Sequence, residues 1–404
     1  MKKFSIYTVL VTLLMEKQFL KPHLIAVIGN QWSLRVNNVP ISWHSNRGIC
    51  EENYPEIASA LWKDVGGLNS SPISATNSYH YATQVVKIAR LGLIAEEINC
   101  MELIPAIKMF LREYIEPWLV GNFEKNGFFY DEKWGGIVSE SADYGFCMYN
   151  NHHFTLGYFV FSIAVLAKFD VEWGMKFKGH AYALVASYIS LEKNKEKSKY
   201  TKLRSFDPYK LHSLTNPLHD EHTRNSEIPS VSINAYYSAS LLGMVYGDDH
   251  LVSVGSTLAS FELEAVKTWW HVKEGGVYNG EFCNKNKMVG LCWEYKLWFT
   301  AAENKECRVD IQVLPIMPVD VVEWAAPSLA RKEATDGWKG FVYALEALYD
   351  HKNALKKIRD LKGFHEGNSL SNMLWWVHNR IGKKNVCCRF KKEANDCWFC
   401  TYCC

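Results

Sequence analysis

The sequence predicts a mainly α-helical protein, an α/α toroid in which an inner ring of helices carries a site at one end. Three observations carry the prediction. From about residue 55 onward, segment after segment repeats its apolar residues at spacings of three and four, as amphipathic helices do. These segments, about ten in all and often paired, are separated by loops rich in Gly, Asn, Asp and Ser. The strand–helix alternation that a parallel sheet requires is missing.

The chain opens with MKKFSIYTVLVTLLMEKQFLK. Its basic start and apolar run from Phe4 to Met15 imitate a secretory signal, but no small-x-small cleavage site follows. The run is too short to span a bilayer. A strand left over from a longer protein explains it equally well, so localisation stays open.

The helical segments follow in order. ATQVVKIARLGLIAEEI (82–98) runs to a break near Asn99. In MELIPAIKMFLREYIEPWL (101–119), Ile104, Ile107, Leu111, Ile115 and Trp118 share one face. TLGYFVFSIAVLAKF (155–169), GHAYALVASYISL (179–191), SINAYYSASLLGMVYG (232–247) and HLVSVGSTLASFELEAVKTWW (250–270) come next. GWKGFVYALEALYD (337–350), KNALKKIRDL (352–361) and SLSNMLWWVHNR (369–380) complete the series. GNFEKNGFFYDEKWGG reads as a loop, and LEKNKEKSKYTKLR (191–204) as a solvated lysine-rich connector.

Charge narrows the function. Lys and Arg number 45 against 43 Asp and Glu, so no field recruits nucleic acid or an anionic membrane. Aromatics reach 14%, which serves either a large ring-rich core or a groove whose flat rings stack on sugars. No P-loop, nucleotide-binding glycine fingerprint, HExxH or nucleophile elbow is present, which leaves chemistry by carboxylates and His. Of 12 Cys, Cys50, Cys100, Cys147, Cys283, Cys292 and Cys307 are scattered and read as buried thiols. The other six crowd the tail. Cys397, Cys400 and Cys403, with Cys387 or Cys388, have metal-like spacing, but a disordered or disulfide-capable tail is the preferred reading.

A set of stretches resembles glycoside hydrolase family 81, the endo-1,3-β-glucanases, in its plant branch. They are PISWHSNRGI, NGFFYDEKWGGIV, YNNHHFTLGYFVFSIAVLAKFD, RSFDPYKLHS, NSEIPSVSINAYYSASLLGMVYGD, TWWHVKEGG, WKGFVYALEALYD and GNSLSNMLWWVH, in order from residue 41 to about 380. The resemblance implies a β-sandwich, a linking domain and an (α/α)6 barrel with a glucan groove between them. It divides this chain into residues 1–40, a remnant of the sandwich or a signal-like segment; 41–380, the (α/α)6 domain; and 381–404, a Cys-rich tail. It also implies 1,3-β-glucan (callose, or fungal or oomycete wall glucan) as partner, and no cofactor.

The family hydrolyses with inversion. A carboxylic acid protonates the leaving oxygen while a carboxylate on the opposite face activates water, the two standing roughly 6.5–9.5 Å apart. The family acid is the Asp of a YNDHHFHYGY motif. Aligned on it, YNNHHFTLGY places Asn151 at the acid position, with Thr155 and Leu156 replacing a His and a Tyr. The base is the first Glu of an ESTSE-like motif. NSEIPSVSINAYY keeps it as Glu227, puts Val231 where the second Glu stands, and brings Pro229 into the turn. Leu214 stands where the family usually has Trp. The resemblance further implies sugar contacts from Tyr149, His152, His153, Asp207 and His212; for Asp207 a loop-capping role is equally open.

A carboxamide has no proton acidic enough to give, and general-acid catalysis typically contributes about 10²–10⁴-fold. Asp143, His152 and His153 are the neighbours with a titratable proton, the imidazoles because their ordinary pKa lies near 6.5. The family's Asp at the position of Asp143 points to a structural role there. Three readings follow: an endo-1,3-β-glucanase with a vacant acid position, a glucan-binding pseudoenzyme, and a truncated, decaying copy whose exposed apolar surface marks a lost interface.

Overall fold

A computed structural model of the protein describes residues 35–70, 72–121, 127–140, 143–191, 199–215, 225–226, 229–278, 280–285, 287, 291–293, 297–298, 327, 337, 339–364 and 367–390. The N-terminal segment to residue 34, Glu227 and the Cys397–Cys403 tail lie outside the described residues.

Helices dominate, and they alternate in kind. α1 (Tyr54–Gly66) and α3 (Ile104–Leu119) each bury one stripe; in α3 it is Ile104, Ile107, Phe110, Leu111, Ile115, Trp118 and Leu119, the face that the spacing predicts. α2 (Ser78–Glu97), α4 (His152–Phe169) and α6 (Pro229–Tyr246) are different. α4 buries every residue from His152 to Ala167, and α6 every residue from Pro229 to Gly243. A helix that is apolar all round is surrounded by protein. These three are the inner helices, packed in the order α2, α4, α6. Each is followed by an outer partner that packs back on it: α3, α5 (Val171–Ile189) and α7 (Asp249–Ala265). α4 also has the length and apolarity of a membrane span, a consequence of its place at the centre of the protein.

The links between partners are short and capped. Asp170 alone joins α4 to α5, and its carboxylate accepts the Trp173 N–H at 3.2 Å. Asp248 caps α7 through the Leu251 N–H at 2.9 Å, and Asn77 caps α2 through the His80 N–H at 3.0 Å. After α7 the chain widens into a π turn over Val266–Trp270, and α8 (Gly280–Lys285), α9 (Lys339–Glu346), α10 (His351–Arg359) and α11 (Leu370–Phe390) follow. α11 runs on past residue 380, so Cys387 and Cys388 belong to its last turns. The first and last helices meet. Asp64 on α1 accepts both the backbone N–H (3.0 Å) and the hydroxyl (2.6 Å) of Ser371, and Glu56 on α1 grips Arg359 of α10 and His378 of α11.

Strands are small. β1 (Phe129–Asp131) pairs antiparallel with β2 (Gly136–Val138), and β3 (Phe206–Asp207) with β4 (His212–Ser213). β5 (Asn225–Ser226), β6 (Leu291–Trp293) and β7 (Leu297–Trp298) form a third antiparallel set. The composition of 121–136 predicts loop, yet β1 lies within it and β2 starts at its end; strands of two or three residues are too short to show alternation. α5 starts eight residues earlier than the spacing suggests, because Trp173 and Phe177 already face the core. Residues 35–50, between the undescribed N-terminus and α1, contain no strand. They run across α6 and α7, where the Val39 N–H donates to Ser260 (2.8 Å) and the Ser42 N–H to the Tyr237 hydroxyl (2.8 Å).

The inner helices α4 and α6 are in close contact at Gly157. A Cβ there would stand 2.6 Å from the Ala235 backbone. Gly157→Ala therefore forces α4 from α6 and is expected to cost about 1–3 kcal/mol. Gly179→Ala on exposed α5, with no atom within 4 Å of the new methyl, gains up to ~1 kcal/mol from helix propensity. Urea unfolding followed by circular dichroism reads both, and opposite signs are the expected result.

Candidate active site at the ends of the inner helices

The inner helices present their N-terminal turns at one end of the ring. Tyr79 of α2 lies edge-on to Tyr158 of α4 at 5.9 Å, and His153 of α4 is hydrogen-bonded to Ser232 of α6 at 2.9 Å. Gly367, just before α11, comes against Thr83 of α2. Each such terminus leaves backbone N–H groups unpaired within its helix and a partial positive charge.

Asn151 is the residue before α4. It sits in the left-handed region (φ 51, ψ 17), is half-buried, and does not use its side chain to cap the helix. Among the described residues backbone bonds hold it: its N–H donates to the Thr215 carbonyl (2.8 Å), and its carbonyl accepts from the Thr155 N–H (3.0 Å). Strain gathers around it. Among the described residues six non-glycines have positive φ, and Tyr144, Tyr149 and Asn151 are three of them. Leu203 and Leu211 are two more, in the β3–β4 segment that ends at Thr215. Such conformations cost of order 1–3 kcal/mol each and persist where surrounding structure imposes them, as at ligand sites. Asn tolerates this region; Tyr and Leu do not.

The imposing structure is an arginine clamp. Arg204 lies over the Tyr149 ring at 3.8 Å and donates to the carbonyls of Trp134 (2.7 Å), Gly135 (2.5 Å) and Ser187 (3.2 Å). Tyr149 is fully buried and donates its hydroxyl to Asp131 at 2.8 Å; burial and that carboxylate push its pKa up. Gly136 is needed beneath the ring, since a Cβ there would meet Tyr149 at 2.6 Å. The clamp joins the β1–β2 hairpin, the turn before α4 and the β3–β4 segment.

The histidines lie beneath the surface. His152 is fully buried, stacked on Phe146, with Nε2 donating to the Ile137 carbonyl at 2.8 Å. His153 is fully buried against Ser232. Desolvation takes both pKa values down to about 3, so near neutrality both imidazoles are neutral, and the N–H each keeps is too weakly acidic to serve as a general acid. His212 on β4 is buried too, its Nδ1 donating to the Ser213 carbonyl at 3.1 Å and its ring edge-on to Trp270; desolvation lowers its pKa to about 4. Asp207 is half-buried and caps its own loop, accepting the N–H groups of Tyr209 (2.8 Å) and Lys210 (3.2 Å). The side chain of Asp143 is outside the described residues.

On the facing helix, Pro229 opens α6 in the first turn, where its missing N–H costs nothing. Glu227 lies outside the described residues, two positions before that turn. Val231 is buried. One turn on, Asn234 is fully buried, and neither of its amide atoms has a hydrogen-bond partner among the described residues. No group of three metal-ligating side chains occurs among the described residues. Cys100 and Cys283 are buried free thiols; Cys50 and Cys147 are free and half-buried.

One site-adjacent group escaped the sequence reading. Glu262 on α7 is fully buried, and its Oε1 accepts the Ser213 N–H at 2.6 Å. Its Oε2 has no partner among the described residues, and desolvation raises its pKa to about 8. FELE reads as a half-exposed helix turn, so the local pattern gives no signal for a buried acid.

Comparison with known proteins places this arrangement. Residues 48–377 match the glycosyl hydrolase family 81 C-terminal domain. A Glycine max protein named glucan endo-1,3-beta-D-glucosidase is 49% identical over 383 residues, 88% of this chain and 57% of that protein. An Arthroderma benhamiae protein of the same name is 23% identical over 404 residues, 89% of this chain and 43% of its own. This chain thus spans roughly half the length of such relatives. A solved mutant of the family 81 glycoside hydrolase from Clostridium thermocellum superposes with a TM-score of 0.72 at 20% identity, covering 84% of this chain and 49% of that one. That likeness supports the helical toroid.

The buried acid and imidazoles set opposite limits on stability. A Glu262 pKa raised from the usual 4.5 to about 8 means the folded state keeps a proton that the unfolded state gives up, so stability falls as pH rises from 4.5 through 8. For His152, His153 and His212 the folded state refuses protons that the unfolded state takes, so stability falls as pH drops below 6.5. Thermal midpoints measured from pH 4 to 9 should show Glu262→Gln gaining on wild type across 4.5 to 8 and then running parallel. A pH-independent difference would show that Glu262 does not titrate there.

Proposed function

We propose that this chain, which belongs to glycosyl hydrolase family 81, takes 1,3-β-glucan across the N-terminal ends of its inner helices and hydrolyses it weakly or not at all. The substrate class rests on relatives named for glucan endo-1,3-β-glucosidase activity, and callose or a fungal or oomycete wall glucan is the source we favour. Exposed rings suit such a chain. Trp134, half exposed on the hairpin, has its carbonyl fixed by Arg204 and by Thr201 (2.9 Å), and Tyr209 is 73% exposed beside Asp207. A flat ring covers the C–H face of a pyranose while its hydroxyls stay paired with water or polar groups.

The observation that carries the reading is the amide at position 151. Inverting hydrolysis needs a proton delivered to the glycosidic oxygen as the C–O bond breaks, and a base, Glu227 on this alignment, to take a proton from the attacking water. Asn151 stands at the donor position and has no such proton. His152 and His153 adjoin it, yet both are neutral and sealed beneath the surface. They and Tyr149 hold the floor under the site, through Ile137, Ser232 and Asp131, and we assign them that supporting role. Val231 removes a second polar anchor. The reading of a glucan-binding pseudoenzyme gains most from these placements.

Release of reducing ends from soluble 1,3-β-glucan tests it. Wild type is expected near the buffer background while binding the polymer, and Asn151→Asp is expected to raise the rate by about 10²–10⁴. Asp tolerates the left-handed backbone as Asn does, and the hydrogen bonds at 151 among the described residues are main-chain, so the fold survives the change. The helix terminus favours the ionised carboxylate, so the variant's activity should peak on the acid side of neutrality and fall as pH rises. Wild type already as fast as Asn151→Asp would overturn the vacant-acid reading.

A further inference from the structure

Tyr144 is oddly placed for a residue with only a structural role. It lies in the left-handed region (φ 46, ψ 19), followed by Gly145 at φ 74, inside a short helical turn that its geometry breaks. A bulky side chain is an outlier there, and Gly or Asn would fit without strain. Burial does not offset the cost, because Tyr144 is 56% exposed.

The exposed ring is nonetheless held. Its hydroxyl meets His80 Nε2 at 2.9 Å, and its ring stands edge-on to Tyr79 (5.9 Å, 81°) and to His80 (5.6 Å, 65°). Tyr79 in turn meets Tyr158 of α4, and Asn77 fixes the first turn of α2 on which Tyr79 and His80 ride. Its position relative to Asn151 is set as well. The Asn150 N–H donates to the Gly145 carbonyl at 3.0 Å, and a Cβ on Gly145 would stand 2.5 Å from the Asn150 amide. A rigid aromatic ring facing solvent, seven residues before Asn151 in the same strained turn, is what a ligand with an apolar face and a polar rim requires, and a ring already ordered loses little entropy on binding.

We propose that Tyr144 is a stacking platform for one glucosyl ring of a β-glucan bound beside Asn151. The proposal rests on the glucan reading above and adds to it a named contact on the α2 side of the site. His80 and Tyr79 are positioning residues that keep the platform in place.

Calorimetric titration of the full chain with a 1,3-β-gluco-oligosaccharide of six units tests it. Tyr144→Ala should weaken binding by about tenfold, the scale of one aromatic stack. Tyr144→Phe, which keeps the ring, should stay within about twofold, a difference well below one such stack. Tyr144→Gly should weaken binding as Ala does while raising the thermal midpoint, since it relieves the backbone; a residue kept only for the fold would not show that opposition. Unchanged affinity in the Ala and Gly variants, with wild type binding, overturns the platform and leaves the glucan reading standing. Loss in Phe as large as in Ala shows that the hydroxyl contact, not the ring face, matters, and also overturns it. A wild type that binds no 1,3-β-glucan overturns both.

Discussion

The contact on which the site depends is the close approach of α4 to α6. With no side chain at Gly157, α4 lies against the Ala235 backbone, and one turn earlier His153 reaches Ser232. That packing sets the two N-terminal turns side by side, Asn151 immediately before one and Glu227 two residues before the other. Inverting chemistry wants its two groups on opposite faces of a sugar, several ångströms apart. On the proposed assignment of Asn151 and Glu227, two parallel inner helices that start at the same end bring the acid and base segments together without a long-range loop having to find them.

Backbone strain is the second constraint, and its location carries meaning. Five of the six left-handed non-glycines among the described residues fall at 144–151 or 203–211, the two segments joined by the Asn151 N–H and the Thr215 carbonyl. Arg204, through the Tyr149 ring and three carbonyls, holds the strained turn, the hairpin and the β3–β4 segment as one body. Glu262 pins the same segment from below by way of Ser213. Strain of this kind holds the exposed rings and the turn at 144–151 at fixed separations, the pattern that ligand sites show.

Much of the fold was legible in the sequence. The amphipathic outer helices, α3 above all, showed their buried stripe directly, since solvent on one side writes a period into the chain. The inner helices showed only that they were apolar: with protein on every side, α4 and α6 have no polar face to mark their orientation. The hairpins were too short to read. The site was legible only in part. Asn151 emerged from resemblance, because nothing in a local pattern distinguishes an acid position from a turn. His152 and His153 looked like the floor of a site and lie just under it, where their burial makes them neutral. Glu262 and the strain at Tyr144 depend on contacts between residues far apart in sequence, and on backbone angles, which composition does not record.

The frame and the chemistry are therefore separable in this protein, and the position of Asn151 explains why. Its hydrogen bonds among the described residues are main-chain, its side chain does not cap the helix, and Asn accepts the left-handed backbone as readily as Asp. On the proposed assignment of position 151, an amide there supplies no acidic proton while leaving the turn, the clamp and the exposed rings as they are. It removes a charge as well. A carboxylate at a helix N-terminus is favoured in its ionised form, and a working general acid must counter that preference to stay protonated. An amide has no such conflict, so on the proposed reading a site that holds glucan without cutting it would be indifferent to pH at position 151.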